Sequence, residues 1–556
     1  MPAHTIASGL VKADIRRLWK GMVIFMGNKE AIQNGKTSLG IEFGSTRIKA
    51  VLNNEENIPI AVGSYEWENQ LENGIWTYHL EEIENGLKAC YQSLCEAVKN
   101  QYDEELTVIG SIGISAMMHG YMVFDKDKTL LVPFRTWRNA VTEEAAQKLT
   151  EQLHFNIPQR WSIAHLYQAI LNREEHVKDI AFITTLAGYI HWRLTGKKVL
   201  GIGDASGMFP IDNKTKQYDE AMLQKVADLI KEYGYSWQIK DIFPQVLIAG
   251  EQAGSLTQEG AAFLDASKKL RSGIPFCPPE GDAQTGMVAT NSVAVRTGNV
   301  SAGTSVFAMV VLENALDEVY PEIDMVVTPT GNHVAMVHCN NCTSDLNSWV
   351  SLFGECLELC NAKVDKNTLF EVLFKSALSA KADCGGLISY NYLSGENIMN
   401  VNEGRPLLFR SPKADLKLSN FMRTLLYSSL STLKIGTDIL FKKEGAKVDK
   451  ICAHGGLFKT QGVGQRFLAA ALNVPITVLD NAGEGGAWGM AVLASYMQNK
   501  KEKECLEDYM NDNVFQKDNG KTMAPDKKDV EGFDKFVEQY KKCFAVETMA
   551  IQLMSE

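Results

Sequence analysis

The pattern of apolar and polar positions first becomes regular at Ser38. There SLGIEFGSTRIKAVL reads as a buried strand, a tight Gly-Ser-Thr turn and a second strand, and PIAVGSYEW reads as a third. From Leu80, LEEIENGLKACYQSLCEAVKNQY switches to apolar residues at three- and four-residue spacing, which predicts a helix. TVIGSIGISAMMHGYMVFD then reads as two buried strands around a special turn. Farther on, TWRNAVTEEAAQKL opens a helix after Asn139, RWSIAHLYQAILNREEHVKDI reads as an amphipathic helix, and TLAGYIHWRLTG ends in a glycine stop. Strands alternating with helices predict an α/β protein. TGNVSAGTSVFAMVVL repeats the order of strand, Gly-Thr-Ser turn and strand, so two hairpins of one kind predict an internal duplication. After the strand VDKICA, Gly455-Gly456 precedes the helix VGQRFLAAAL, and a second glycine cluster, Gly483 to Gly489, opens the helix AWGMAVLASYM.

Composition narrows this picture. A chain of 556 residues is too long for one hydrophobic core, so two large domains with a ligand cleft between them are expected. Hydrophobic residues at 45% and charged residues at 22% fit an ordinary globular protein. The 67 acidic against 56 basic residues give a net charge of -11, which argues against nucleic acid as a partner and favours small molecules. Eleven scattered cysteines read as reduced thiols of a cytoplasmic protein. Cys339 and Cys342 form a CxxC without a second pair, and Cys356 and Cys360 lie four apart on an amphipathic stretch; buried structural thiols are expected at both. Near the N-terminus, Asp14, Arg16, Arg17 and Lys20 precede only seven apolar or small residues, too few to span a membrane. That segment is expected to be a dispensable extension, with a peripheral amphipathic helix or a later start at Met22 or Met26 as alternatives. KEKECLEDYMNDN, after Lys500, reads as a solvated helical face.

Candidate chemistry centres on Asp282, in a glycine-flanked loop, and on the turn Gly303-Thr304-Ser305, a short apolar strand later. Such a turn offers backbone N–H groups and hydroxyls to phosphate oxygens, and a lone Asp can take a proton from an acceptor hydroxyl, so the pair suggests phosphoryl transfer. An ordinary turn Asp weighs equally from this segment alone. In the first hairpin, Glu42 lies inside an apolar strand, where a carboxylate is costly unless paired or metal-bound. Arg47 and Lys49 leave the turn on alternate positions, and this acid, the Ser45 and Thr46 hydroxyls and a base suit a magnesium-phosphate group. Met117-Met118-His119-Gly120 ends a strand where open α/β sheets hold ligands; His119 is either a donor to a sugar hydroxyl or a satisfied loop histidine. Asp204, in GIGDASGMFPID, reads as a turn residue. Gly455-Gly456 either presents helix-start amides to a nucleotide or allows close packing. GxxxxGK[ST] is not present, so a P-loop is excluded.

The ordered set GIEFGSTRIKAVL, GISAMMHG, LAGYIHWRLTG, GDAQTG, GNVSAGTS, YLSGENIM, GGLFKTQGVGQRF and GEGGAWGMA resembles the FGGY carbohydrate kinases between residues 38 and 500. The resemblance implies an α/β fold of two actin-like, ribonuclease-H-like duplicated domains with an ATP and sugar cleft between them. It divides the chain into an extension (1–37), a sugar-binding domain carrying the base (38–292), an ATP-binding domain (293–500) and a charged helical tail (501–556). It implies that Asp282 is the general base, that Met118, His119, Gly120 and Ala283 face the sugar, and that Glu42 and Asp282 hold Mg²⁺. ATP would meet Gly44, Ser45, Thr46 and Lys49 in the first hairpin, and Gly303, Thr304 and Ser305 in the second. Gly455, Gly456, Lys459 and Gly486 would complete its site. The Met-His-Gly is most like the xylulokinase-type members, which implies a ketopentose, foremost D-xylulose phosphorylated to its 5-phosphate. L-Ribulose, gluconate or a polyol remain alternatives, as do a chaperone-like ATPase and a non-catalytic sugar sensor; a homodimer is left open. Two departures stand out: Glu42 where the family usually has Asp, and Trp137-Arg138-Asn139 where Trp-Asn-Asp is usual.

Overall fold

The computed structural model describes residues 25–479, 485–516 and 520–554. Their contacts divide into two compact units. The first runs to Ala289 and adds Pro329–Gly331 and residues 485–516; the second holds the rest. The helix that opens the segment from 485 therefore packs in the first unit, although its sequence position suggested the second.

Five strands make the sheet of the first unit: β1 (Ser38–Phe43), β2 (Arg47–Asn53), β3 (Pro59–Glu66), β4 (Ser111–Ala116) and β5 (Glu280–Gly281), in the order β5-β4-β1-β2-β3. β1 runs antiparallel to β2 and parallel to β4, so its carboxyl end meets that of β4, where Phe43 pairs with Ala116. The helix Leu80–Tyr102 covers β2 and β3 and buries Ile83, Leu87, Tyr91, Leu94 and Val98, the stripe its spacing predicts. The helix Gly485–Asn499 packs on β1 and β4 and is apolar nearly all round. Residues 25–33 are helical, and Ala31 and Ile32 are buried, so this part of the expected extension belongs to the folded unit. The helix Ser162–Leu171 is buried on every side rather than amphipathic.

Seven strands make the main sheet of the second unit: β6 (Thr297–Ala302), β7 (Val306–Val311), β8 (Asp324–Val327), β9 (His333–Cys339), β10 (Lys450–His454), β11 (Ile476–Val478) and β12 (Lys521–Met523), ordered β8-β9-β7-β6-β10-β11-β12. Here too a first strand, β6, pairs antiparallel with the second and parallel with a later one, β10. The duplicated hairpins are thus duplicated in topology.

The stretch after residue 500 is not a solvated tail. Leu506, Tyr509 and Met510 are buried in the first unit. In the second, the helix Lys527–Leu553 buries Phe533, Phe536, Val537 and Tyr540. Asp529, on its first turn, forms ion pairs with Arg423 and Arg466, and Asp529 and Arg423 are each only 2% exposed. Lys535, Glu538, Lys541 and Lys542 lie on the exposed other face of this amphipathic helix. All eleven cysteines are free; Cys339 and Cys342 are buried as expected, whereas Cys356 and Cys360 are exposed on the helix Ser344–Leu359 and its end.

Candidate active site

The turn between β1 and β2 is closed by one N–H and anchored through its carbonyls. Gly44 N–H donates to Arg47 O at 3.0 Å and closes the hairpin. Trp67 Nε1 donates to Gly44 O at 2.8 Å, Tyr78 Oη to Ser45 O at 2.6 Å, and Trp67 N to Thr46 O at 3.2 Å. In a trans peptide the N–H points opposite to the C=O, so these anchors turn the Ser45 and Thr46 N–H groups the other way. Ser45 is half-buried and Thr46 exposed. This is the arrangement a phosphate-binding turn needs.

At the carboxyl ends of β1, β4 and β5 the structure gathers Glu42, Met118, His119, Gly120 and Asp282. Asp282 begins the helix Asp282–Ala289, and its Oδ1 accepts from Met118 N–H at 3.3 Å. Thr285, one turn on, bridges to Ser115 of β4 at 3.0 Å and fixes that helix start to the sheet. Burial raises the Asp282 carboxyl to about 6, against the lowering effect of the Met118 and Ala283 N–H groups. His119 is 4% exposed, adopts φ 68°, and places Nδ1 3.1 Å from Gly207 O, with its ring stacked on Trp161. A left-handed backbone at a buried non-glycine residue is costly and clusters at functional sites. Gly120 follows with φ 88°, and Ala283 is half-buried beside Asp282.

Glu42 has a partner that the sequence did not show. Its Oε2 accepts from Ala487 N–H at 3.1 Å, at the start of the helix Gly485–Asn499, where the helix dipole favours a carboxylate. Burial and then the charge of Asp282 push it up to about 7, opposed by Ala487 N–H and by Lys49, its cross-strand neighbour. Gly486 explains the closeness: a Cβ there would stand 2.2 Å from Glu42 Oε1. The structure therefore places Gly486 in the first unit, as a glycine of close packing. Residues 480–484, which begin the same cluster, lie outside the described residues.

Two more carboxylates stand beside the site: Asp204, which reads from the sequence as a turn residue, and Glu280, which the sequence did not single out. Asp204 is fully buried in the helical turn Ile202–Ala205 rather than in a loop, and its Oδ2 accepts from Thr185 Oγ1 at 2.6 Å. Glu280 accepts from the N–H groups of Gly203 at 3.3 Å and Asp204 at 2.9 Å, and so ties β5, one residue before Asp282, to that turn. Burial drives Asp204 well above its ordinary value, with Asp282 adding to the effect; burial followed by Asp204 does the same to Glu280. Burial thus lifts all four carboxyl groups above their ordinary values, Asp282 to about 6. The signal was present as an acid beside each glycine, Asp204 after Gly203 and Glu280 before Gly281, but sequence spacing could not bring them together.

In the second unit the turn Gly303–Ser305 is anchored like the first. Gly303 N–H donates to Ser305 O at 2.9 Å, Cys342 N to Thr304 O at 2.9 Å, and Thr343 to Gly303 O through N at 3.1 Å and Oγ1 at 2.7 Å. The N–H groups of Thr304 and Ser305 are again turned away from their anchors. Beyond β10, Gly455 adopts φ 108°, and a Cβ there would lie 2.3 Å from Ala302 O, the residue before that turn. Gly455, Gly456 and Lys459 are all exposed, and open space surrounds the missing Cβ of Gly456. An exposed glycine ledge with a lysine beside it suits the flat face and phosphates of a nucleotide.

The fold thus has two sheets of one topology, each with a turn anchored after its first strand, and in the first unit a buried carboxylate at the strand ends. The chain belongs to the FGGY family of carbohydrate kinases: the N-terminal domain of that family matches residues 37–289 and the C-terminal domain residues 298–498. It is 21% identical over 432 residues to the xylulose kinase of Haemophilus influenzae, covering 76% of this chain and 82% of that protein. Among solved structures it resembles a ligand-bound xylulose kinase from Lactobacillus acidophilus (TM-score 0.74, 18% identity, 92% of this chain and 98% of that one). A gluconate kinase from the same organism is similarly close (TM-score 0.73, 18% identity, 91% and 97%).

Proposed function

We propose that the protein phosphorylates the terminal hydroxyl of a ketopentose, foremost D-xylulose, with Asp282 as general base. The observation that carries this reading is the bond from Met118 N–H to Asp282 Oδ1, which joins the Met118-His119-Gly120 loop to the base. The xylulose kinases among its relatives favour a ketopentose, and the gluconate kinase is the main competitor. Trp161 Nε1, in the ring stacked on His119, and Asp204 Oδ1 are buried without a hydrogen-bond partner among the described residues. Each such atom costs about 1–3 kcal/mol while it stays without a partner.

Asp282 takes the proton of the sugar hydroxyl as that oxygen attacks the γ-phosphorus of ATP, the bond from that phosphorus to the β,γ-bridging oxygen breaks and ADP leaves; a pKa of about 6 leaves Asp282 ionised and still basic enough at neutral pH. In the first unit the N–H groups of the Gly44–Thr46 turn, with Lys49, can bear phosphate charge; in the second unit those of the Gly303–Ser305 turn can do the same, and Gly455, Gly456 and Lys459 offer a ledge to a nucleotide. No group of three or more metal-capable side chains occurs among the described residues, but Mg²⁺ is commonly bound by one or two carboxylates plus phosphates and water. Glu42 and Asp282, close enough for the charge of one to raise the pKa of the other, fit that need. Mg²⁺ bound there would neutralise phosphate charge.

A coupled assay of ADP release with ATP and D-xylulose, L-ribulose, gluconate, glycerol and no sugar tests the reading. Release dependent on D-xylulose supports it. Release only with gluconate or glycerol moves the substrate, and release without sugar or none at all overturns the kinase role proposed for this site.

A further inference from the structure

Asn341 and Glu396 lie outside every role assigned above, yet they form a polar clip that reaches the second phosphate turn. Residues 340–343 follow β9 and lead into the helix Ser344–Leu359. Within them, Cys342 and Thr343 supply the three hydrogen bonds that fix the carbonyls of Gly303 and Thr304. The orientation of the Thr304 and Ser305 N–H groups therefore depends on where this short segment sits.

Side chains hold the segment in place. Glu396 is 0% exposed, and its Oε2 accepts from Asn341 N at 3.3 Å and Asn341 Nδ2 at 3.2 Å. Asn341 Oδ1 in turn accepts from Leu393 N at 2.9 Å, Ser394 N at 3.1 Å and Ser394 Oγ at 3.2 Å. Asn340 Nδ2 donates to Gly395 O at 2.9 Å, and Asn391 Nδ2 to Cys342 O at 3.1 Å. The loop around Glu396 is itself closed by Glu396 N–H donating to Val401 O at 2.7 Å. A buried carboxyl is costly, and burial raises this one above its ordinary value. Apolar packing would anchor a loop at lower cost; a network of directed bonds fixes its angle as well.

We propose that Glu396 and Asn341 are positioning residues for nucleotide binding: through residues 340–343 they set the orientation of the Thr304 and Ser305 N–H groups that receive the phosphates. This rests on the reading of Gly303–Ser305 as a phosphate turn. The test uses the full-length protein, with calorimetric titration of ADP and Mg²⁺ and with amide hydrogen exchange of residues 303–305. In the wild type, ADP should slow exchange at the turn. In Glu396→Ala and Asn341→Ala, ADP should bind about 10- to 100-fold more weakly, the range expected for a small misplacement of binding groups, and exchange at the turn without ADP should quicken. Glu396→Gln, which keeps an acceptor for Asn341, should restore most of the affinity. If Glu396→Ala does not fold, Asn341→Ala carries the test. Unchanged ADP affinity in a folded variant overturns the clip while leaving the phosphate-turn reading intact. Absence of wild-type protection at 303–305 overturns both. A lower melting temperature with unchanged affinity would make the clip merely structural and also overturns the proposal.

Discussion

At the scale of single residues, Asp282 shows how burial tunes a base. An Asp of ordinary pKa would be a weak proton acceptor; at about 6 Asp282 is a stronger one that is still ionised near neutrality. Activity should therefore rise with pH through about 6, read as kcat/KM for the sugar across pH 5 to 8. Asp282→Asn keeps an oxygen for Met118 N–H but no base, and should lower kcat by about 10²- to 10⁴-fold with ADP affinity nearly intact; near-normal turnover would remove Asp282 from the mechanism. Stability carries the same information with its sign. Asp282 and Glu42 are raised in the folded state, so the fold retains protons that the unfolded chain has released. Their contribution is most favourable below about pH 4 and is lost as pH rises through about 6 to 7. Glu42→Gln should flatten the decline in melting temperature over that window, and an unaltered slope would show that Glu42 does not titrate there.

At the scale of elements, local pattern was legible and partnership was not. The helix Leu80–Tyr102 and the hairpin of β1 and β2 coincide with their sequence reading, because each shows its own period. The helix Ser162–Leu171 misled because a helix buried all round has no polar face to set a period. The carboxylate of Glu42 was correctly singled out as needing a partner, but Ala487 lies far along the chain, and no local pattern announces a helix start that docks on β1. Gly486 belongs to the same lesson. A methyl there would press on Glu42 Oε1 and Thr285 Oγ1, so Gly486→Ala should destabilise the protein by about 1–3 kcal/mol, measured by urea unfolding. The helix Lys527–Leu553 was mistaken for a charged tail although Phe533, Phe536, Val537 and Tyr540 keep helical spacing; the surrounding charges masked it. Asp529→Ala would leave Arg423 buried without its carboxylate, and should cost about 3–5 kcal/mol. An unchanged melting temperature in that variant would contradict the burial of the pair.

At the scale of the whole molecule, the two compact units are not two consecutive stretches of chain. The first unit closes the face of β1 and β4 with the helix Gly485–Asn499, which is separated from that sheet in sequence by most of the second unit. Ala487, Met490, Ala491 and Ala494 are buried in it, so a chain that stopped at Ala289 would leave a broad apolar face of the sheet in water and Glu42 without its helix start. The sequence division at residues 38–292 and 293–500 followed the order of motifs and had no way to show this return. The consequence is specific to folding. A fragment of residues 25–289 should lack a cooperative thermal transition by circular dichroism, whereas the same fragment joined by a flexible linker to residues 485–516 should regain one. A sharp transition in the shorter fragment would mean that the helix from Gly485 is a ligand of a finished domain; its absence, with recovery on fusion, would make that helix part of the domain's own core.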